Sequence, residues 1–321
     1  MPKVFITRQI PEAGPNLLRE KDFEVEVSDI DGVLPHEILL QKVKGADAIL
    51  SLLTDKIDAE LMDAAGPQLK IIANYAVGYD NINLADVAAH NVIVTNTPDV
   101  LTESVAEHAI ALIFGLAHRL VESDQYMRDG KYTGWAPMLF LGNDLVDKTL
   151  GLIGLGRIGA SVARRLHDGF EMKILYYDAK RNEELEKKYN LQFVDLPTLL
   201  KESDFVSVHV PLLSATKHLI GAEQLNMMKK TAYLINTSRG PIIDENALVN
   251  ALKTGVIRGA ALDVYEQEPK MAEGLAQLSN TILTPHTASA TEETRNAMSE
   301  LAAKNIIEVL EGRSPLTAVK N

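Results

Sequence analysis

Short apolar runs alternate with amphipathic stretches along the first hundred residues. Residues 11–19 and 36–43 repeat their apolar positions at helical spacing, and the run Ala48–Leu53 is apolar almost throughout, as is typical of a strand covered on both sheet faces. Strands that alternate with helices predict a parallel sheet with helices on both sides. The predicted strands are Val4–Thr7, Glu24–Val27, Ala48–Leu53, Lys70–Ala73 and Val92–Thr95.

The same alternation starts again at Thr149 and predicts a second doubly wound sheet. A predicted helix over 291–310 ends the chain. Between the two patterns, Leu101–Met127 has helical periodicity without proline, and we predict one helix there of about 40 Å, at 1.5 Å per residue. A helix of that length is suited to crossing between two domains. The predicted strands of this half are 150–154, 173–177, 205–210, 232–236, 258–264 and 282–285.

Length and composition narrow the classes of protein. A chain of 321 residues suggests about two domains. With 32 basic and 44 acidic residues the net charge is −12, which argues against sequence-independent binding of nucleic acid. We see no apolar stretch of membrane-spanning length and no signal-peptide pattern at the N-terminus. The absence of cysteine excludes disulfides, thiolate metal sites and cysteine nucleophiles, and favours a cytoplasmic protein. No metal-ligand spacing such as H-E-x-x-H occurs, so we predict no metal.

A glycine-rich motif follows the first strand of the second half. Residues 154–159 read Gly-Leu-Gly-Arg-Ile-Gly, between a predicted strand and a predicted helix, and Asp178 ends the next strand 19 residues after Gly159. This is the dinucleotide fingerprint in its required context. Gly154 allows the tight turn, Gly156 lets backbone N–H groups approach a pyrophosphate, and Gly159 lets helix and strand pack closely.

Asp178 is placed to accept hydrogen bonds from adenosine ribose hydroxyls. Its charge would repel a 2′-phosphate, which favours NAD over NADP. Lys180 and Arg181 follow closely and either blunt that repulsion or belong to a solvated turn. NAD(H) is therefore the favoured cofactor, with NADP(H) left open.

Three further polar residues follow predicted strands: Arg239, Glu268 and His286. Ligands of open α/β sheets bind beyond the carboxyl ends of the strands, so all three are predicted on the cofactor's side. Arg239 offers a planar fork for a carboxylate, His286 a natural acid/base, and Glu268 a partner that orients the imidazole. These groups suit the reduction of a 2-oxo acid. His209, at the end of another strand, lines the cofactor cleft or is a hydrogen-bonded core residue.

Taken together, these segments closely resemble the D-isomer-specific 2-hydroxyacid dehydrogenase family, over essentially the whole chain. The subgroup that is most similar is the glyoxylate/hydroxypyruvate reductases. The stretches that carry the resemblance are 73–82, 154–159, 236–240, 263–269, 285–291 and, for the subgroup, 2–8 and 95–102. Lys270–Gly274 departs from the turn that often follows the Glu-Pro pair in relatives.

The resemblance implies roles for individual residues. His286 matches the acid/base, Glu268 its carboxylate partner and Arg239 the substrate-binding arginine. The Val77–Gly78 backbone matches the segment that holds the substrate carboxylate, and Leu53 lies in a loop that walls the pocket. The predicted cofactor contacts are Leu155, Gly156, Arg157, Ile158, Asp178, Pro211, Thr216, Thr237 and Asp263.

The resemblance also implies a domain plan. A Rossmann-type cofactor domain over 99–287 is inserted into a flavodoxin-like substrate domain formed by 1–98 and 288–321. The two connections would act as hinges for closing the cleft. The family is dimeric through the long helix and the loop after it, so we expect a homodimer. Trp135 in that loop either reaches the partner's active site as a substrate contact or is an ordinary interface or core aromatic.

The implied activity is NAD(P)H-dependent reduction of small 2-oxo acids, glyoxylate and hydroxypyruvate foremost, to glycolate and D-glycerate. One alternative is NAD-dependent oxidation of D-3-phosphoglycerate, although relatives with that activity often carry extra regulatory domains. The alternative from another class is a nicotinamide-sensing, corepressor-like binding module, because such relatives retain the Arg, Glu and His. Turnover of glyoxylate would separate the enzyme from the binding module.

Overall fold

The computed structural model describes residues 1–319. The chain divides into two compact units, Met1–Leu101 with Ala290–Asn321 (unit 1) and Thr102–Ser289 (unit 2). The sequence placed these boundaries at 98/99 and 287/288. Both units are built on wholly parallel sheets flanked by helices, so the predicted α/β class with two doubly wound sheets is confirmed.

Unit 1 contains a five-stranded sheet in the order β2-β1-β3-β4-β5, the flavodoxin-like order that was predicted. Strands β1, β3 and β4 are almost entirely buried, with Phe5, Ile49 and Ile72 fully inaccessible. The strands are β1 Lys3–Ile6, β2 Glu24–Val27, β3 Ala48–Ser51, β4 Ile71–Asn74 and β5 Ile93–Thr95. The helices are α1 Ala13–Arg19, α2 His36–Lys42, α3 Ala59–Ala65, α4 Leu84–His90 and, at the end of the chain, α12 Glu292–Leu310.

Unit 2 contains a seven-stranded sheet in the order β12-β11-β10-β9-β6-β7-β8, a Rossmann order extended by one strand. The strands are β6 Thr149–Ile153, β7 Lys173–Tyr177, β8 Gln192–Phe193, β9 Phe205–Val208, β10 Tyr233–Asn236, β11 Gly259–Leu262 and β12 Thr281–Leu283. The helices are α5 Thr102–Ala117, α6 Leu120–Arg128, α7 Arg157–Phe170, α8 Glu183–Tyr189, α9 Leu196–Glu202, α10 Ala222–Met227 and α11 Glu245–Thr254, with 3₁₀ turns at Gly240–Ile242 and Leu275–Gln277.

The register of unit 2 aligns its strand ends. Ile153 pairs with Val208, Val208 with Asn236, Asn236 with Leu262, and Leu262 with Leu283. The residues that follow these positions therefore share one edge of the sheet. That edge carries the glycine motif and the segments that lead to the predicted arginine, glutamate and histidine.

The prediction of one continuous helix over 101–127 is wrong. Helices α5 and α6 meet at an angle of 64°, and Arg119 between them adopts a left-handed conformation with φ 53°. In a continuous helix the Ala117 carbonyl would accept from residue 121; here it accepts from the backbone N–H of Asn143 at 2.9 Å. A contact from 26 residues away thus ends α5.

Among residues 1–319, no single helix combines the length and apolar character needed to cross a membrane. In the described part of the chain, α5 and α6 reach that length and composition when taken together, but they form the bent pair.

Candidate active site

The glycine motif forms the turn from β6 into α7. Gly154 has φ 100°, and a Cβ there would lie 2.7 Å from the carbonyl oxygen of His209. A Cβ on Gly159 would lie 2.2 Å from the Gly154 oxygen, whereas one on Gly156 would meet nothing within 4 Å. Gly154 and Gly159 therefore pack closely against backbone atoms, whereas the space beside Gly156, at the start of the helix, is open.

The open side of this turn has the chemistry that a pyrophosphate needs. The first bond of α7 runs from the Ala160 N–H to the Gly156 carbonyl, so the N–H groups before Ala160 have no acceptor within the helix. Arg157 is exposed and Ile158 half-buried beside them, while Leu155 is buried. A helix of 14 residues adds the positive end of its dipole at the same place.

Asp178 lies one residue beyond β7 and is tied to the glycine turn. Its Oδ2 accepts from the Leu155 N–H at 2.7 Å, and its Oδ1 accepts from the Lys180 N–H at 3.3 Å. The carboxylate is half-buried and retains lone pairs for further donors. It is thus held at the turn, where the fingerprint requires an acceptor for ribose hydroxyls.

Two other strand ends carry predicted cofactor contacts. After β9, the Thr216 hydroxyl donates to the Pro211 carbonyl at 2.7 Å and closes the loop between them. After β10, the hydroxyl oxygen of Thr237 is buried without a hydrogen-bond partner among the described residues. A buried hydroxyl without a partner is unfavourable, so Thr237 is suited to a polar ligand atom. Together with the open glycine turn, it makes this edge of the sheet fit a dinucleotide.

His286 and Glu268 form a hydrogen-bonded pair at this edge. The Nδ1–H of His286 donates to Oε2 of Glu268 at 2.9 Å, which leaves Nε2 for another partner. Both side chains are about 30% exposed, at 27% for the histidine and 32% for the glutamate. Burial by itself would raise the pKa of Glu268, but the bond to His286, the Tyr265 N–H and the charge of Arg239 together hold that pKa below its ordinary value.

Arg239 lies in the loop after β10, and its position is set by the loop's own hydrogen bonds. Asn236 Nδ2 donates to the Arg239 carbonyl at 2.9 Å, and Asn236 Oδ1 accepts from the Ser238 N–H at 3.0 Å. The arginine side chain is half-buried, and its Nη1 donates to the Ser238 carbonyl. Its positive charge helps to lower the pKa of Glu268, and it follows a strand that ends at the same edge of the sheet as the strands leading to Glu268 and His286.

Asp263 lies beneath the loop that bears His286. It is fully buried, and its carboxylate accepts from the Thr284 hydroxyl at 2.7 Å, the Thr287 N–H at 2.7 Å and the Ala288 N–H at 2.8 Å. His286 itself has φ 55° and donates its N–H to the Asp263 carbonyl at 2.9 Å. Asp263, predicted as a cofactor contact, thus holds the strained backbone of the loop that bears His286.

These features match known proteins. The family described as D-isomer specific 2-hydroxyacid dehydrogenase, NAD binding domain, matches residues 110–288. Glyoxylate reductase of Thermococcus litoralis is 50% identical over 318 residues, covering 98% of this chain and 95% of that protein. The chain belongs to this family. It is an NAD(P)-dependent dehydrogenase.

Solved structures agree with this assignment. A protein from Thermus thermophilus superposes on the dehydrogenase with a TM-score of 0.93 at 42% identity, covering 99% of this chain and all of the other. The NADPH-dependent glyoxylate/hydroxypyruvate reductase of Sinorhizobium meliloti, solved with NADP and malonate, gives a TM-score of 0.85 at 35% identity, with coverages of 99% and 96%.

The remaining predicted substrate contacts of the dehydrogenase lie outside this edge of the unit 2 sheet. Leu53, Val77 and Gly78 are half-buried in the loops after β3 and β4 of unit 1. The side-chain amide of Asn96 donates to the Val77 carbonyl at 2.8 Å, and that of Asn74 donates to the Gly78 carbonyl at 2.9 Å. Trp135 is 83% exposed in the loop after α6 of unit 2. Their contacts with substrate stay predictions.

Sequence reasoning missed one polar residue near the cluster. His108 on α5 has its Nε2 3.2 Å from the Thr284 hydroxyl and 3.5 Å from Asp263 Oδ1. A half-buried histidine on a mostly apolar helix was the available signal. His209 is hydrogen-bonded, with its Nε2 2.9 Å from the Ser207 hydroxyl, but its side chain is half-buried and not enclosed in the core.

One cluster in unit 1 has metal-ligand composition. Ligand atoms of His36, Asp58 and Glu60 lie within 4.8 Å of one another. Asp58, however, already accepts from the Leu61 N–H and forms an ion pair with Lys56. The expectation that the dehydrogenase needs no metal stays a prediction.

Proposed function

We propose that this dehydrogenase reduces glyoxylate and hydroxypyruvate with NADH, giving glycolate and D-glycerate. Support comes from the glyoxylate reductase of Thermococcus litoralis, half of whose residues are identical over nearly the full length of both chains. The observation that carries the chemistry is the contact of 2.9 Å between His286 Nδ1 and Glu268 Oε2.

That contact supports the proposed proton chemistry. Because the carboxylate accepts from Nδ1–H, the imidazole is oriented with Nε2 as the nitrogen that donates a proton to the keto oxygen. The carboxylate of Glu268 lies 2.9 Å from Nδ1 and holds the ring in this orientation. A bound reduced nicotinamide supplies the hydride that reaches the keto carbon. In the oxidative direction Nε2 accepts the proton from the 2-hydroxyl group.

Arg239 binds the substrate in this proposal. Its guanidinium carries a permanent charge and a planar set of donors, which suits a carboxylate next to a keto group. The hydrogen bonds of Asn236 hold the backbone of Arg239 and Ser238 in place before substrate arrives. Val77, Gly78 and Leu53 are proposed as further substrate contacts on unit 1.

NAD is proposed as the preferred cofactor. Asp178 is fastened by the Leu155 N–H at the turn where the adenosine ribose is expected, and its charge disfavours a 2′-phosphate there. The same proposal assigns cofactor contacts to the residues from Leu155 to Ile158, and to Pro211, Thr216, Thr237 and Asp263.

A second copy of the chain is the proposed partner. Large apolar side chains are concentrated on the exposed surface of residues 120–146, which is the surface expected of an interface rather than of a monomer. Trp135 within that segment is proposed to contact substrate in the partner's site. The exposed residues with at least half of their area accessible include Leu120, Val121, Met127, Trp135 and Met138.

A spectrophotometric assay tests the function. Purified protein is mixed with NADH or NADPH and a panel of 2-oxo acids, and the loss of reduced cofactor is followed. We expect turnover of glyoxylate and hydroxypyruvate, with a higher kcat/KM for NADH than for NADPH. Binding of NADH without turnover of any 2-oxo acid would favour the corepressor-like alternative. The alternative of D-3-phosphoglycerate oxidation is tested in a companion assay with NAD⁺ and D-3-phosphoglycerate, in which formation of NADH is followed, and preferential turnover there would favour it.

A further inference from the structure

Arg181 is engaged by a carboxylate in the turn that follows Asp178. Its Nη2 lies 2.7 Å from Oε2 of Glu186, and its Nε lies 2.9 Å from Oε1 and 3.1 Å from Oε2. This is a two-pronged contact in which the planar guanidinium faces both carboxylate oxygens. The arrangement commits Nε and Nη2 of Arg181 to Glu186 and fixes the direction of the guanidinium.

Glu186 is itself anchored from the opposite side. The hydroxyl of Tyr176 donates to Glu186 Oε1 at 2.5 Å and accepts from the Asn182 N–H at 2.9 Å. Tyr176 is fully buried on β7, and the Glu186 side chain is only 11% exposed, against 57% for Arg181. Most exposed ion pairs are weak because both partners are mobile. Here one partner is fixed to the core, so the pair has a defined geometry.

The charge state of the pair is stable across the physiological range. The bond from Arg181, followed by that from Tyr176, lowers the pKa of Glu186 to about 2. The carboxylate therefore remains ionised, and the guanidinium remains its partner, at any pH at which the enzyme would work.

The location of the pair gives it a consequence for cofactor choice. NADP differs from NAD by a phosphate on the adenosine ribose, and an arginine near the acidic residue at the end of the second strand accommodates that phosphate. Arg181 occupies this turn, three residues after Asp178. Its guanidinium is directed to helix α8, while Asp178 accepts from the Lys180 N–H.

We propose that Glu186 is a specificity-determining residue: by holding Arg181 it withholds a guanidinium from the NADP 2′-phosphate and leaves Asp178 to select NAD. This inference rests on the proposed function for the site. It makes Glu186, beside Asp178, a second residue that favours NAD over NADP. Glu186 acts through Arg181 and makes no contact with cofactor in this account.

The test is the variant Glu186→Gln, which keeps an oxygen to accept from Tyr176 but removes the charge that holds Arg181. The probes are adenosine 2′,5′-bisphosphate and 5′-AMP, which differ by the 2′-phosphate, titrated calorimetrically into the full-length protein. We expect the bisphosphate to bind at least fivefold more tightly than to wild type, with 5′-AMP affinity changed less than twofold. The NADPH/NADH ratio of kcat/KM should rise by a similar factor.

Arg181→Gln provides the matched control. In the wild-type background it should change the affinity for the bisphosphate less than twofold, because Arg181 is already withheld. In the double variant with Glu186→Gln it should abolish the gain. A gain that survives in the double variant would overturn the proposal, because removal of negative charge alone would then explain it.

Two further outcomes would also overturn the proposal: unchanged bisphosphate affinity in folded Glu186→Gln, or a loss of more than threefold in Arg181→Gln alone. The second needs only the arginine variant, so it remains decisive should Glu186→Gln fail to fold. Wild-type turnover of glyoxylate with NADH is measured in parallel. If that turnover is absent the proposed function fails, whereas normal turnover with an unmoved ratio contradicts only the role of Glu186.

Discussion

The glycine turn and the loop that bears His286 lie at the same edge of one sheet, but different forces shape them. The glycine turn depends on missing side chains, since a Cβ on Gly159 would come within 2.2 Å of a backbone oxygen. The histidine loop depends on two carboxylates, with Asp263 accepting from its backbone and Glu268 from the imidazole. The proposed cofactor site thus depends on close steric fit, whereas the position of the proposed acid/base residue depends on charged hydrogen-bond acceptors.

The difference predicts two kinds of sensitivity. An atom added at Gly154 or Gly159 should damage the glycine turn, whatever its polarity, and the damage should be seen first as lost stability. The histidine loop should tolerate changes of shape that keep its carboxylates, and loss of a charge there should be seen first in turnover. Variants of each region test this contrast.

The largest effect is expected from His286→Ala. Loss of a positioned proton donor should lower kcat for glyoxylate by a factor of about 10²–10⁴, while the Kd for NADH changes less than threefold. Steady-state kinetics and fluorescence titration measure the two quantities. His218→Ala is the matched control, because His218 also pairs with a glutamate, Glu266, at 2.7 Å but outside the proposed site. If His286→Ala retained a tenth of wild-type kcat, the acid/base assignment would be wrong.

The next effect is the pH dependence of the free energy of unfolding. It involves His209, whose backbone lies against Gly154 of the glycine turn. His209 keeps one edge exposed, yet burial lowers its pKa to about 4. The unfolded chain, with an ordinary histidine pKa of about 6.5, binds more protons between these values, so stability must fall as the pH drops. The full effect is on the order of 3 kcal/mol, and about 2 kcal/mol of it falls between pH 7 and pH 5.

Urea unfolding of wild type and His209→Gln at pH 7 and pH 5 measures this effect. Glutamine retains a group that can bond to the Ser207 hydroxyl but does not titrate. The variant should lose less stability than wild type on acidification. Equal losses in the two proteins would show that His209 is not held in its neutral form.

A smaller effect separates two glycines of helix α7. Gly159→Ala should destabilise the protein by about 1–3 kcal/mol, because the added methyl group meets a backbone oxygen that cannot move freely. Gly169→Ala should stabilise it by about 0.5–1 kcal/mol, because a Cβ there meets nothing within 4 Å and alanine favours the helix. Denaturant midpoints of the two variants should therefore move in opposite directions; movement in the same direction would refute the steric account of the turn.

The comparison also explains what the sequence predicts well. The glycine spacing, Asp178 and the polar residues after each strand are local signals, and parallel strands bring their carboxyl ends to one edge without further information. The order of the strands within each sheet was expected from the family resemblance and not from the alternation of strands and helices. Local patterns were therefore enough to predict the fold class and to predict that Arg239, Glu268 and His286 lie at the same edge of the sheet.

The features that the sequence did not reveal depend on contacts between distant residues. Helix α5 ends because Asn143 takes the Ala117 carbonyl, and His108 reaches the Thr284 hydroxyl across 176 residues. Only the tertiary structure determines such pairs, since the residues involved carry no motif of their own. The pairing of Arg181 with Glu186 is closer in sequence, but its anchoring depends on the buried hydroxyl of Tyr176.

The most direct test of the central claim, that a carboxylate-held imidazole performs the proton transfer, is the kcat of Glu268→Gln for glyoxylate at saturating NADH. Glutamine preserves the size of the side chain and an oxygen that can accept from Nδ1–H, but it removes the negative charge that faces the imidazole. The account predicts a kcat at least tenfold below wild type, with the Kd for NADH and the thermal midpoint nearly unchanged. A kcat within twofold of wild type would contradict it.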